Sequence, residues 1–105
     1  MHTTNKVLSE AVYYILLSLR RPLHGYGVIK ETEKLSNGRV RLSAGTLYGA
    51  LSKLMGKAWI EALETEADSR KKEYALTPAG KEVLLQELER LRELVRNGEE
   101  LLSNY

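Results

Sequence analysis

The spacing of apolar and polar residues divides the first half of the chain into three segments, each with the period of a helix. Residues 5–20 are apolar on nearly every side, so a helix there must be covered on more than one face. Residues 25–35 place apolar side chains on one side and charged ones on the other. Within residues 43–56 a buried stripe is indicated by Leu47, Leu51 and Leu54. We therefore predict three consecutive helices.

Five residues mark where these helices begin and end. Pro22 ends the first helix, because proline disfavours helical geometry in the residue before it. The Asn37–Gly38 pair indicates a turn after the second helix. Ser43 is a suitable N-cap for the third helix, and Gly56 is placed to stop it.

The second half of the chain predicts a β-hairpin followed by one long helix. Residues 58–76 alternate weakly around a polar middle, which indicates two strands with a tip in Glu64–Arg70. Thr77–Pro78 is a strong helix start, an N-cap followed by proline at the first helical position. A heptad-like stripe then runs along this helix: Leu84, Leu88, Leu91, Val95 and Leu102.

The order of these elements indicates a mainly α fold with a small β-hairpin. Two short helices joined by a turn and followed by a β ribbon describe a winged helix-turn-helix. We assign residues 1–77 to this DNA-binding domain and residues 78–105 to a C-terminal dimerisation helix, the two forming one structural unit. The third helix would enter the major groove of DNA.

The first and last helices are too apolar for one chain of 105 residues to cover both. The first helix either lies at the centre of the fold or meets a second subunit, and the two long apolar helices together favour a homodimer. The candidate interface residues are Val12, Leu16, Leu84, Leu88, Leu91, Val95 and Leu102.

Charge is distributed unevenly along the chain, although the net charge is only +2. Residues 1–57 hold nine Lys/Arg and three Glu, whereas residues 58–80 and 81–105 each carry an excess of two acids. A basic front half is typical of contact with nucleic acid, since only the surface that meets phosphate needs positive charge.

The third helix shows a face of small side chains opposite its leucine stripe. That face consists of Gly45, Gly49 and Ser52, edged by Thr46 and Lys53 on one side and by Tyr48 on the other. Glycine inside a helix lowers stability by about 0.8–1.0 kcal/mol relative to alanine. One interpretation is that the missing side chains let the helix backbone lie close to a partner. Hydroxyls of Ser43, Thr46 and Tyr48, together with Lys53, could donate to phosphates, and the helix N-terminus itself favours an anion. The alternative is that Gly49 is a tolerated surface residue and Tyr48 packs half-buried on the core.

The predicted wing carries three adjacent cations, Arg70, Lys71 and Lys72. They could contact the phosphate backbone. Alternatively they form a solvated hairpin edge on which lysine blocks unwanted strand pairing.

Other chemistry finds little support in the sequence. Cysteine is absent, and His2 and His24 are the only histidines, so we expect no catalytic site, metal site or cofactor. Neither a signal-peptide pattern nor an apolar run of ~20 residues is present, and we expect a cytoplasmic protein without membrane contact. The single tryptophan, Trp59, could pack the hairpin on the helices or stack on a flat ligand.

Three blocks of the sequence resemble the PadR family of bacterial transcriptional regulators, in its short subgroup with a single C-terminal helix. They are "PLHGYGVIKE", "LSAGTLYGALSKLMGKAWIE" and "RKKEYALTPAGK", in that order, and the similarity covers about residues 7–85. The resemblance implies a winged-helix homodimer that represses promoters through an imperfect palindrome in double-stranded DNA. The residues it would place on DNA are Tyr26, Ser43, Gly45, Thr46, Tyr48 and Lys53, with Arg70–Lys72 in the wing.

The resemblance also implies regulation, since some family members release DNA when phenolic acids or planar drugs bind near the dimer interface. This chain departs from the family at Ala44 and Gly49, where proline is usual or frequent, so base preference does not carry over. Its short tail offers less material for an effector pocket. The rival interpretation is a winged-helix protein-interaction module that does not bind DNA.

Overall fold

The computed structural model describes residues 7–64 and 72–105. It contains four helices and three short strands in the order α1 (Glu10–Ser18), β1 (Leu23–His24), α2 (Gly25–Leu35), α3 (Ala44–Gly56), β2 (Ile60–Leu63), β3 (Glu73–Leu76) and α4 (Pro78–Leu102). The predicted fold class, a mainly helical winged helix-turn-helix followed by a long C-terminal helix, is confirmed. Strand β1 was not predicted.

Side-chain caps fix the N-termini of three helices. The hydroxyl oxygens of Ser9, Ser43 and Thr77 each accept the backbone N–H three residues ahead, at 3.1 Å in every case. Such a bond satisfies one of the donors that a helix start leaves without an intrahelical partner. The predicted starts at Ser43 and at Thr77–Pro78 are therefore confirmed.

The end of α3 differs from the prediction. Gly56 is the last helical residue and not the residue that turns the chain, because the left-handed conformation is adopted two positions later by Ala58, at φ 61°. The backbone N–H of Trp59 reaches back to the carbonyl of Leu54 at 3.1 Å. This reversal directs the chain into β2, and an alanine adopts a conformation that glycine would adopt at lower cost.

The strands form one antiparallel sheet in the order β1-β3-β2. The predicted hairpin pairs Ile60 with Leu76 and Ala62 with Tyr74, while β1 adds Leu23 opposite Tyr74 on the other edge of β3. A lone two-stranded ribbon is only marginally stable in water. The third strand and the contact of Tyr74 with the core stabilise it here.

The core is formed between α1, the α2–α3 pair, the sheet and the start of α4. The leucine stripe of α3 is buried as predicted, and it packs with residues from every other helix and from the sheet: Ile15, Leu16, Leu19, Val28, Ile60, Tyr74 and Leu84. Trp59 is partly buried against this cluster, which supports its predicted packing role. The core thus fixes α3 by one side only.

Helix α4 begins in close contact with the α3–β2 junction. The Thr77 hydroxyl donates to the carbonyl of Ala58 at 2.7 Å, and the Thr77 N–H donates to that of Trp59 at 3.0 Å. A Cβ on Gly80 would overlap the Trp59 carbonyl oxygen and lie 2.8 Å from Leu76 Cδ1. Only glycine therefore allows α4 to dock at this depth.

A buried carboxylate joins α4 to the segment that precedes α1. Glu87 is 3% exposed and accepts the N–H of Leu8 at 3.2 Å. Arg90 donates two bonds to the same carboxylate, at 2.8 and 2.7 Å. These bonds hold the pKa of Glu87 below its ordinary value, with Arg90 the larger cause, although burial opposes the shift.

Candidate nucleic-acid interface

The small-residue face of α3 is open. Gly45, Gly49 and Ser52 are all exposed, and a Cβ built on Gly45 or Gly49 would meet no atom within 4 Å in the part of the chain that the structure describes. The leucines on the opposite side of α3 hold the helix to the core. The fold therefore presents this face outward, with room for another molecule to approach the helix backbone.

The N-terminus of α3 is arranged to receive an anion. Ser43 and Thr46 are both exposed, and the Ser43 hydroxyl donates to Thr46 Oγ1 at 3.0 Å while it accepts the Thr46 N–H. The first turn carries no acidic residue. Since the N-terminal end of a helix bears partial positive charge, both hydroxyls lie where a phosphate would be stabilised.

Tyr48 combines the two roles that the sequence left open. Its side chain is 49% exposed, yet its ring lies on the backbone of Gly25, where a Cβ would fall 2.8 Å from Tyr48 Cζ. The ring thus connects α3 to the start of α2, with part of its surface still open to a partner. Burial raises the pKa of the neighbouring Tyr74 hydroxyl, with a smaller contribution from Tyr48.

A second exposed tyrosine lies at the start of α2. Tyr26 is 69% exposed, and the Lys30 ammonium lies 5.5 Å from the centre of its ring. At this distance the two side chains form a cation–π contact, which joins Tyr26 to Lys30 one helical turn later. Sequence reasoning missed Lys30, although the tyrosine-to-lysine spacing of four on a helix was a usable signal.

Two lysines line the edge of α3 next to the small-residue face. Lys53, which the sequence predicted, is exposed, and Lys57 lies one turn further along with its ammonium 5.2 Å from the centre of the Trp59 ring. Lys57 was not predicted as a site residue. The contact places a cation on the very ring that the sequence offered as a stacking surface.

Ion pairs neutralise part of the positive charge of residues 1–57. Each of its three glutamates pairs with an arginine: Arg20 with Glu31 at 3.1 Å, Arg41 with Glu33 at 3.8 Å, and Arg39 with Glu10. The Glu10 carboxylate raises the pKa of Arg39, through a hydrogen bond first and charge second. The excess positive charge therefore comes from the other cations, which include the lysines of α2 and α3.

The predicted wing is described only in part. Lys72 is exposed immediately before β3. Arg70 and Lys71 lie outside the described residues, together with most of the predicted tip.

The predicted dimerisation residues fall into two groups. Leu16 and Leu84 are buried within the chain itself, which is a correction, because side chains already covered by their own core have no surface left for a partner. Val12, Leu88 and Leu91 are partly exposed, and Val95 and Leu102 are exposed at 57% and 63%. Leu94 and Leu101, which the prediction did not include, are also exposed on the second half of α4.

Residues 7–64 and 72–105 contain neither a metal-binding cluster nor a membrane-spanning helix. Within them no three His, Asp or Glu side chains lie close enough together to hold a metal ion. None of the described helices combines the length and apolar character needed to traverse a bilayer.

Comparison with known proteins places this geometry in a family. Residues 14–86 match the model of the Transcriptional regulator PadR-like family. Over 66 residues, 63% of the chain, the sequence is 42% identical to an uncharacterized 37.1 kDa protein in transposon TN4556 of Streptomyces fradiae. The match spans only 18% of that protein's length.

Solved structures show the same fold. A PadR family transcription regulator from hypervirulent Clostridium difficile superposes with a TM-score of 0.73 at 23% identity, over 90% of this chain and 99% of that one. Bordetella bronchiseptica BpsR, whose DNA binding is regulated by 6-hydroxynicotinic acid, superposes with a TM-score of 0.69 at 20% identity, over 88% of this chain and 65% of BpsR. The matched family and its structural neighbours are transcriptional regulators. Because the family model covers more than half of the sequence, including both helices of the helix-turn-helix and the sheet, the chain belongs to the PadR-like family of transcriptional regulators.

Proposed function

We propose that the protein is a homodimeric, sequence-specific DNA-binding repressor that acts in the cytoplasm. The observation that carries the proposal is the open face of α3, poor in side chains and edged by Lys53, on the side of the helix opposite its buried leucines. Such a surface brings the helix backbone close to a polyanion. Family membership supports regulation of transcription as the outcome.

In this proposal α3 lies in the major groove with its N-terminus toward the phosphate backbone. Ser43 and Thr46 donate to one phosphate together with the first-turn N–H groups. Lys53, Tyr26 and Tyr48 contact the flanking backbone, while Gly45 and Gly49 keep the helix close to the groove floor. Lys72, with Arg70 and Lys71, contacts the adjacent backbone from the wing.

The dimer is proposed from the second half of α4. One face of this helix continues the stripe that its first half buries, and there Leu94, Val95, Leu101 and Leu102 are exposed. A second copy would cover these side chains, together with Leu88, Leu91 and Val12. Two recognition helices would then read a palindromic operator at a spacing of about 34 Å, or a multiple of it.

Repression follows from occupancy, because a dimer seated on an operator keeps other proteins off that DNA. BpsR is a structural neighbour whose DNA binding responds to 6-hydroxynicotinic acid. By analogy we propose that a small aromatic compound bound at the dimer interface could release this protein from DNA.

The first experiment measures binding to a fluorescent DNA duplex over a series of salt concentrations. Lys53→Ala should weaken binding and make the slope of log affinity against log salt shallower by about one, the expected loss of one phosphate contact. Lys34→Ala is the matched control, since Lys34 is exposed on α2 outside the proposed contacts. An unchanged slope for Lys53→Ala would remove Lys53 from this role. Absence of binding to any duplex at low salt would favour the protein-interaction module.

The second experiment tests the dimer by light scattering at micromolar concentration. Leu101→Glu/Leu102→Glu should convert a dimer to a monomer, because both side chains are exposed in the single chain and a carboxylate in an apolar interface is costly. Gln86→Glu, at an exposed position on the same helix, should leave the dimer intact. A wild-type monomer would contradict the proposal.

A further inference from the structure

The ring of Tyr48 reaches from α3 to the residue at which β1 passes into α2. That residue is Gly25, which is buried. The three atoms nearest to a Cβ built on Gly25 all belong to Tyr48, with Cζ at 2.8 Å and Cε1 at 3.2 Å. A Cβ and a ring carbon do not approach to 2.8 Å, so the ring occupies the space that any side chain at position 25 would need. The contact of α3 with this junction therefore requires glycine.

The same junction supports the strand that leads out of the wing. β1 ends at His24, directly before Gly25, and places His24 opposite Glu73, the first residue of β3. Lys72, which is exposed, directly precedes Glu73. Lys72 is thus joined to Gly25, the residue under the ring of Tyr48, through a single cross-strand pair.

A second tyrosine lies beside this contact. Tyr74 follows Glu73 in β3, pairs with Leu23 of β1 and is 7% exposed. Burial is the main cause that raises the pKa of its hydroxyl, and Tyr48 adds a smaller contribution. The side chains of the two tyrosines therefore meet at the same junction, one from the recognition helix and one from the sheet.

The core holds α3 and the sheet by separate contacts. The leucine stripe fixes α3 from one side, and Tyr74 fixes β3. β1 has only two residues, so its pairing with β3 offers little resistance to a shift of the wing. A rigid ring placed between α3 and the end of β1 can therefore set the distance between the recognition helix and the wing.

We propose that Tyr48 is a positioning residue whose ring, lying on Gly25, holds the wing at the distance from α3 at which Lys53 and Lys72 contact DNA phosphates in the same complex. This role belongs to the ring, whereas the phosphate contact proposed above for Tyr48 belongs to its hydroxyl. The inference rests on the proposed DNA-binding function and adds to it a dependence of the wing on α3.

The test measures how much Lys72 contributes to DNA binding in four backgrounds: wild type, Tyr48→Phe, Tyr48→Ala and Gly25→Ala. Binding to one fluorescent duplex is followed by anisotropy over a series of salt concentrations, with and without Lys72→Ala. In the wild type, Lys72→Ala should make the slope of log affinity against log salt shallower by about one, the loss of one phosphate contact. The same change of about one should remain in Tyr48→Phe, because the ring is kept.

In Tyr48→Ala and Gly25→Ala, Lys72→Ala should change the slope little, because the wing is no longer held in place. Gly25→Ala displaces only the far end of a side chain that is 49% exposed, so the ring can turn into solvent while the chain stays folded. Urea unfolding of each variant checks this. Lys53→Ala is the matched control: Lys53 lies on α3 itself, so its effect of about one on the slope should persist in all four backgrounds.

Three results would overturn the proposal while α3 still binds DNA. A full effect of Lys72→Ala in Tyr48→Ala and Gly25→Ala would show that the ring only fills space. Loss of the effect in Tyr48→Phe would assign it to the hydroxyl. No effect of Lys72→Ala in the wild type, with that of Lys53→Ala intact, would leave no wing contact to position. A wild-type protein that binds no duplex would contradict the proposed function and this inference together.

Discussion

Substitution of Gly49 by alanine should have two effects of opposite sign: it should raise the stability of the folded chain and lower its affinity for DNA. The residue lies inside α3, its Cβ position is open space, and its backbone is outside the left-handed region. Gly49→Ala should therefore stabilise the folded chain by about 0.8–1.0 kcal/mol, the difference in helix propensity between the two residues. For a domain of this size that corresponds to a rise in Tm of about 4–8 °C.

The same substitution should weaken DNA binding. If the helix backbone approaches the groove closely, an added methyl group forces it away, and Gly49→Leu does so to a greater extent. Steric overpacking of a close-fitting contact typically costs about 1–3 kcal/mol, which is roughly 5- to 150-fold in affinity. We expect Gly49→Ala at the low end of this range and Gly49→Leu at the high end.

The assays are thermal unfolding and fluorescence anisotropy with a labelled operator fragment. Asn97→Ala is the control, because Asn97 is exposed inside α4 and also gains helix propensity, so its Tm should rise while DNA affinity stays unchanged. Wild-type affinity in both Gly49 variants would refute close approach at this position. A lower Tm for Gly49→Ala would show that the Cβ position of Gly49 is not open, which the expected gain in stability requires.

Three further predictions concern stability. Gly80→Ala should destabilise the chain by at least about 2 kcal/mol in urea unfolding, because its Cβ would overlap a backbone carbonyl that cannot rotate away; wild-type stability would show that α4 docks less closely. Ala58→Gly should stabilise it by about 1 kcal/mol, since φ 61° strains alanine, and a loss would contradict that strain. Glu87→Gln should cost about 1–3 kcal/mol, whereas Glu89→Gln, in an exposed pair, should cost little. Because the folded state lowers the pKa of Glu87, its contribution is present at neutral pH and is lost as the pH falls below the ordinary 4.5, so Glu87→Gln should flatten stability against pH there.

The helices were predictable because each one carries local signals that its tertiary environment reinforces. Ser43 and Thr77 cap their helices by bonds to residues three positions ahead, and the leucine stripe of α3 is buried as its spacing indicates. Strand β1 was missed because two residues are too few to show alternation, and its pairing partner, β3, lies about fifty residues away in sequence. Gly56 was misread as the stop of α3 because composition cannot show that Ala58 takes the left-handed conformation.

The candidate site was predictable only where the position of a residue follows from the geometry of its own helix. The small-residue face of α3 follows from helical geometry, which is why its exposure agrees with the sequence pattern. The contact of Tyr48 with Gly25 joins two helices, and no local pattern reports it. Leu16 was mistaken for an interface residue since an apolar position looks the same whether its own chain or a second copy covers it.

The two sides of α3 affect the stability of the helix in opposite directions. The leucine side supplies the core contacts and the Ser43 cap secures the first turn, so the helix does not depend on its own propensity to form. Gly49 lowers the helix propensity, and the core contacts offset this loss of stability. Its missing side chain leaves the helix backbone uncovered, whereas any larger residue would cover it. If the surface had no partner, alanine at this position would be the better residue on every physical ground in the single chain. A glycine at this position is therefore the residue that the proposed close approach of DNA to α3 requires.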